Sequence, residues 1–273
     1  MKRTTLCALS LLLTLSLTAC GDSPAAAPVE LHVFAAASLT ESLDRIIEDY
    51  KSVAPGVTVI PTYDSSGTLK TQIENGADCD LFLSAAPKQM NQLDGSMAGD
   101  PEKNPDGLDF IDTDTRINLL ENKVVLAIPE GNPGGITGFD GLAALLRDGK
   151  GLLAMGNSDV PVGQYTQKIL SYYGLDEAAL ASAGALTYGS NVKEVTTQVA
   201  EGSVDCGIIY ATDAFSAGLT AIDTATAEMC GQVIYPAAVL KGSRQPEAAK
   251  TFLDYLQGDG MAAFEAVGFS PVG

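Results

Sequence analysis

From Glu30 onward, short apolar and β-branched runs alternate with stretches whose apolar residues recur every three to four positions. LHVF (31–34) gives way to Leu39, Leu43, Ile46, Ile47 and Tyr50, the spacing of one helical face. VTVI (57–60) precedes a short helix expected from Thr68, where Leu69 and Ile73 share a face, and LFLS (81–84) follows. The alternation resumes with VVLAI (124–128), LLAM (152–155), a helix from Gly163, ALTY (185–188), a helix from Val192, GIIY (207–210) and VIYPAAVL (233–240). Helical patterns over 246–257 and 260–267 complete it. Such alternation predicts an α/β fold of mostly parallel sheets with right-handed crossovers. Residues 94–114, rich in Gly, Asp and Pro, are the one long irregular region and are expected beside a lobe boundary. With VIYPAAVL returning late, we expect two lobes, residues 30–120 plus 237–273 and residues 121–236, with a ligand in the cleft between them.

The first residues follow a different pattern. Lys2 and Arg3 precede LCALSLLLTLSL, too short an apolar run to span a bilayer, and Leu17-Thr18-Ala19-Cys20 has the form of a lipobox. Residues 1–19 therefore read as a lipoprotein signal, Cys20 as the lipidated N-terminus, and residues 20–29 as a flexible linker. The chain is expected to be exported and held by lipid on the outer face of the cell membrane.

Charge narrows the partners. Setting aside Lys2 and Arg3 leaves 14 basic against 34 acidic side chains, a net −20. That surface repels nucleic acid and anionic membranes, so any bound anion must be held by local groups. Three cysteines lie beyond the lipobox, Cys79, Cys206 and Cys230, with no zinc-like spacing. Export permits one disulfide, for which Cys206 with Cys230 is the favoured pair because each is placed at a strand start in the same half; three plain thiols is the competing expectation.

The candidate chemistry sits where strands turn into helices. In VFAAASLTESL (33–43) the changeover carries only Ala and Ser, so backbone can approach a ligand closely and Ser38 offers a hydroxyl and an amide. Ser38 alone would be an ordinary helix cap. The same construction recurs at Ser65-Ser66-Gly67, Val160-Pro161-Val162-Gly163, Ser190-Asn191-Val192 and Tyr210-Ala211-Thr212. Five helix starts at strand ends can surround one small anion, and none contains Lys or Arg. Neutral donors discriminate by shape, and a fully ionised tetrahedral oxyanion, which offers only acceptors, suits them. Phosphate, protonated near neutral pH, would want an acceptor; Asp64 could supply one, although Asp at a turn is commonly solvated.

At these residues the chain resembles the molybdate-binding proteins of ABC transporters, members of the type II periplasmic binding fold. VFAAASLTESL, SSGTLKTQIENGADCDLFLSA, VPVGQYTQKIL and GIIYATDA carry the likeness, which runs from about Leu31 to Phe269. The resemblance implies oxyanion binding by the hydroxyls and amides of Ser38 and Ser66, the amides of Val162 and Val192, and the phenol of Tyr210. Val162 and Asp64 both depart from the smaller residues familiar at their places. The resemblance further implies delivery of molybdate or tungstate to a membrane permease driven by an ATPase, with no cofactor and no direct metal ligands. Membrane association is expected through the lipid alone, and the chain is expected to act as a monomer.

Other readings find less support in the residues. The sole histidine, His32, lies within a strand pattern, so a Ser-His-Asp triad is not indicated, and catalysis is not expected. Ser66 and Lys70 stand four apart, not the three of an S-x-x-K nucleophile, and GNPGGITG (131–138) lacks the GK[ST] of a phosphate loop. Receptors for amino acids or ferric ion would need charged clamps that the five turns lack. Sulfate or phosphate in place of molybdate, and a purely adhesive lipoprotein, are the alternatives left standing.

Overall fold

The computed structural model describes residues 28–272. The signal segment 1–19, Cys20 and linker residues 21–27 lie outside the described residues. The chain lays down β1 (Val29–Ala36), α1 (Thr40–Val53), β2 (Val57–Asp64), α2 (Ser66–Glu74), β3 (Leu81–Leu83), α3 (Pro87–Leu93) and β4 (Ile117–Asn122). It then enters a second sheet through β5 (Val124–Ile128), α4 (Phe139–Arg147), β6 (Leu153–Gly156), α5 (Pro161–Tyr172), α6 (Glu177–Ser182) and β7 (Leu186–Gly189). The second lobe continues with α7 (Val192–Ala200), β8 (Cys206–Tyr210), α8 (Ala211–Ser216), β9 (Thr220–Thr224) and α9 (Ala227–Cys230). Strand β10 (Val233–Val239) returns to the first sheet, followed by α10 (Pro246–Gln257), α11 (Met261–Glu265) and β11 (Ser270–Pro271).

The strand orders are β11-β4-β10-β3-β1-β2 and β7-β6-β8-β5-β9, one sheet per lobe. Two lobes were expected; the sheets, however, are mixed rather than mostly parallel. Parallel pairing is confined to β2–β1–β3 and β7–β6–β8. β10 runs antiparallel to β3 and β4, and β5 antiparallel to β8 and β9. The strands that flank the lobe crossings, β4, β5 and β10, pair antiparallel with these neighbours. Crossing occurs at Lys123 and again between Thr224 and Val233, and β4 pairs with β10, Asn122 opposite Val233. The two connections thus form a two-stranded neck.

The pattern of buried positions explains the elements. α1 buries Leu43, Ile46 and Tyr50, three of the residues at helical spacing, with Ile47 half-buried. Each such side chain contributes on the order of 1.5–3 kcal/mol. Tyr50 packs edge-on to Phe252 of α10, ring centres 4.8 Å apart, which fastens the C-terminal helices to the first lobe. β5 and β8 are buried along their full length, as central strands covered on both faces should be.

The irregular stretch 94–114 belongs to the first lobe, where Phe110 N–H donates to Leu93 and Asp112 N–H to Val239. Its anchor is buried Asp94, which accepts bonds from Ser96 and Thr113 and pairs with Arg116 at 2.6 Å. Burial opposes ionisation there, but Arg116 and the Ser96 and Thr113 donors outweigh it and hold the carboxyl below its usual range.

The favoured disulfide is not formed: Cys79, Cys206 and Cys230 are all free and buried. Cys206 does open β8, but Cys230 closes the short helix α9 instead of starting a strand, with Sγ facing the carbonyls of Gly231 and Thr226.

Candidate functional site

Local rules place the donors. After β1 the backbone makes a tight turn over Ala37–Leu39, and Ala36, Ala37 and Ser38 are all buried. Ser65 caps α2 by accepting the Thr68 N–H, which leaves Ser66 as the first helical residue, fully buried, its Oγ accepting the Ala85 N–H at 2.9 Å. In α5, Val160 is the cap and Pro161, which has no N–H, occupies the first turn, so the first amide donor inside the helix is that of Val162. Asn191 caps α7 through the Glu194 N–H, and Val192 is its first residue. Tyr210 ends β8 and stands at the cap of α8. Amides of a first helical turn have no acceptor within their helix, and the helix dipole favours an anion there. Gly163 lets α5 press against the end of β6; a Cβ there would stand 2.3 Å from the carbonyl oxygens of Gly156 and Asn157.

All five residues named from the sequence line one cavity between the lobes. Ser38 and Ser66 come from the first lobe, and Val162, Val192 and Tyr210 from the second. The space left open within the cavity is ≈ 10 Å³. No Lys or Arg of the described residues lines it. Its single carboxylate is Asp64, whose Oδ1 accepts the Ser65 N–H at 2.7 Å. A larger groove of ≈ 660 Å³ passes Lys88, Lys103 and Lys168 and shares Pro161 with the cavity, but none of the five donors lines it.

The lobes meet closely around this cavity. The α-carbon of Gly67 lies so near Asp159 that a Cβ on it would stand 2.2 Å from the Asp159 carbonyl oxygen. On the opposite rim Lys193 of α7 reaches both carboxylate oxygens of Glu41 in α1, each at 2.7 Å. Its ammonium also lies 3.0 Å from Asp213, which is buried in α8. Desolvation pushes the Asp213 carboxyl up to about 6, with Lys193 opposing the rise.

Inside the cavity wall, the Tyr210 hydroxyl is buried and has no hydrogen-bond partner of good geometry among the described residues. Burial first, then Tyr235, Tyr165 and Asp213, hold it well above its usual pKa, so it stays protonated as a donor. A buried polar hydrogen left unpaired costs about 1–3 kcal/mol, which marks the spot as one that wants an acceptor.

Sequence reasoning missed Tyr235. Its Oη lies 2.9 Å from Ser38 Oγ and accepts from Asn122 Nδ2 at 3.2 Å, while its ring lies edge-on to Tyr210 and Phe269 at 5.7 and 5.2 Å. One signal was available: a tyrosine in the middle of the apolar run VIYPAAVL must find a partner for its hydroxyl once buried. His32 is a strand residue whose main-chain N–H donates to Asp80, away from the cavity. Among the described residues no group of three or more His, Cys, Asp or Glu could hold a metal ion. What the cavity offers chemically is hydrogen-bond donors, with the Asp64 carboxylate as its one charged acceptor.

Comparison with known proteins agrees with this construction. The model of the bacterial extracellular solute-binding protein family matches residues 31–270. YvgL of Bacillus subtilis, described as an ABC transporter substrate-binding lipoprotein, is 32% identical over 247 residues, covering 89% of this chain and 86% of its own length. The molybdate-binding protein ModA of Escherichia coli is also 32% identical over 247 residues, covering 88% of this chain and 89% of its own. Among solved structures, the periplasmic molybdate-binding protein of Azotobacter vinelandii superposes with a TM-score of 0.72 at 22% identity, covering 88% of this chain and 98% of that one, a likeness of fold. With two lobes, a donor-lined cavity between them and a family match across nearly the whole described chain, this protein belongs to the bacterial extracellular solute-binding proteins, a family that binds solutes and does not transform them.

Proposed function

We propose that this chain captures molybdate or tungstate between its lobes and delivers it to the permease and ATPase of an ABC transporter. The oxyanion is held by the hydroxyls and amides of Ser38 and Ser66, the amides of Val162 and Val192, and the phenol of Tyr210. The observation that carries the reading is convergence: five positions spread over 173 residues of sequence line one small cavity free of Lys and Arg. The orphan hydroxyl of Tyr210 supports it, since an oxyanion would supply its missing acceptor. Closure follows from the division of donors between lobes, because a ligand touching both sets is fully held only when they meet. Selection against sulfate rests on size, its bonds being shorter than those of molybdate. Similarity to ModA supports the choice of ligand. The lipobox and the similarity to YvgL support anchoring at Cys20 on the outer face of the membrane.

Calorimetric titration of ligand-free protein with molybdate, tungstate, sulfate and phosphate tests the proposal. Molybdate and tungstate bind and the other two bind far more weakly. Preference for sulfate or phosphate, or no binding at all, refutes it. Anchoring has its own test: Cys20→Ser moves the protein from the membrane fraction to the soluble one.

A further inference from the structure

Resting on that reading, we propose that Tyr235, oriented by Asn122, is a positioning residue that turns the Ser38 hydroxyl into the cavity as a donor and thereby selects fully deprotonated oxyanions. Asn122 Oδ1 accepts the Lys123 N–H at 2.8 Å. A main-chain N–H cannot accept, so the amide has only one orientation and its Nδ2 must face Tyr235 and Thr212. Nδ2 donates to Thr212 Oγ1 at 2.9 Å and to Tyr235 Oη at 3.2 Å. Either oxygen can donate across the 2.9 Å between Tyr235 Oη and Ser38 Oγ; we take the phenol as donor, because Asn122 already donates to its oxygen. The Ser38 hydrogen is then left without another acceptor among the described residues and is available to the cavity that Ser38 lines. Burial above all, with the Asp213 carboxylate adding to it, keeps Tyr235 protonated, so the chain of bonds does not reverse with pH in the neutral range.

Ser66 is set in the same way by a simpler device, because its Oγ accepts the Ala85 N–H, another group that can only donate. With Tyr210 Oη unpartnered, the hydroxyls of Ser38, Ser66 and Tyr210 all offer hydrogen to the cavity. A guest carrying its own proton, such as hydrogen phosphate, must place that proton on Asp64 or strand at least one of them, whereas molybdate satisfies all.

The test is a double-mutant cycle read by calorimetry with molybdate and, separately, with phosphate near neutral pH. Tyr235→Phe keeps the ring against Tyr210 and Phe269. It lowers molybdate affinity about 3- to 10-fold, the worth of one oriented hydrogen bond, and narrows the molybdate-to-phosphate ratio. In a Ser38→Ala background the same substitution changes molybdate affinity less than about 2-fold, because Tyr235 acts through Ser38. Asn122→Ala, which leaves the phenol in place but frees its oxygen to accept from Ser38, gives the same background-dependent loss and covers the case in which Tyr235→Phe fails to fold. Equal losses in both backgrounds, or an unchanged ligand ratio in folded protein, overturn the inference while leaving the proposed function intact. Wild-type protein that binds no oxyanion overturns both.

Discussion

The close approach of Gly67 to Asp159 makes lobe closure testable with a single methyl group. In Gly67→Ala the new Cβ would stand 2.2 Å from the Asp159 carbonyl oxygen, where ordinary contact begins at 3.4 Å. The lobes must part by about 1 Å or carry the overlap, and hydrogen bonds of ordinary length stretched that far are no longer hydrogen bonds. Parting withdraws Val162, Val192 and Tyr210 from a ligand seated on Ser38 and Ser66. Losing one bond to a charged group costs about 1.5–3 kcal/mol, and enduring the overlap instead costs about 1–3 kcal/mol. Either route lowers molybdate affinity on the order of 10- to 100-fold. The unliganded protein behaves oppositely, because Ala favours the helix α2 over Gly by up to about 1 kcal/mol once the lobes are apart. Calorimetry combined with thermal unfolding, with and without molybdate, reads both signs. Gly242→Ala, where an added Cβ meets nothing within 4 Å, is the control. Affinity within twofold of wild type and an undiminished ligand-induced rise in Tm would refute the reasoning.

Ser38→Ala weakens molybdate binding by about 1.5–3 kcal/mol in a titration, as the loss of a hydrogen bond to a charged group should. Tyr210→Phe also lowers affinity, about tenfold, yet raises the stability of unliganded protein by about 1 kcal/mol in denaturant titration, since it removes a buried hydroxyl without a partner. Asp64→Asn increases molybdate affinity by up to about tenfold at low salt and less at high salt, because it removes the one carboxylate on the cavity wall. Asp213, raised to about 6 from an ordinary 3.8, binds its proton more tightly when folded; the stability this confers is full below pH 4 and is lost as pH rises through about 6. Unfolding free energy of wild type therefore falls by about 3 kcal/mol more than that of Asp213→Asn between those limits, measured by denaturant melts across the range.

Much of the framework was legible because it rests on local periodicity. VVLAI is strand β5 to the residue, residues 246–257 are helix α10, and α5 and α7 begin within two residues of Gly163 and at Val192. Elements lacking a clean apolar period went unseen. β9, TAIDT, is an exposed to half-buried edge strand, and β4, INLLEN, mixes polar positions into a strand whose partners lie more than a hundred residues ahead in the chain or near its end. The turns that line the cavity were visible through their small and hydroxyl residues, since close backbone approach demands such residues locally. Tyr235, 197 residues from Ser38, is marked locally only as a tyrosine whose hydroxyl needs a partner, not by which partner it finds, and Asp213 reads as an ordinary first-turn acid until tertiary packing buries it. Mixed sheet direction was likewise hidden, being decided by where the chain changes lobes.

The three interior thiols give this chain a built-in reporter. Cys79, Cys206 and Cys230 are at most 8% exposed, and burial raises all three, Cys206 to about 12, so little thiolate is available to attack a reagent in the native state. An alkylating probe will therefore label chiefly molecules that have opened, and the identity of the labelled cysteine reveals where: Cys79 in the first lobe, Cys206 in the second, Cys230 beside the neck. Because none of them must be oxidised, correctly folded material can be prepared under reducing conditions and the labelling pattern followed peptide by peptide in a mass spectrometer.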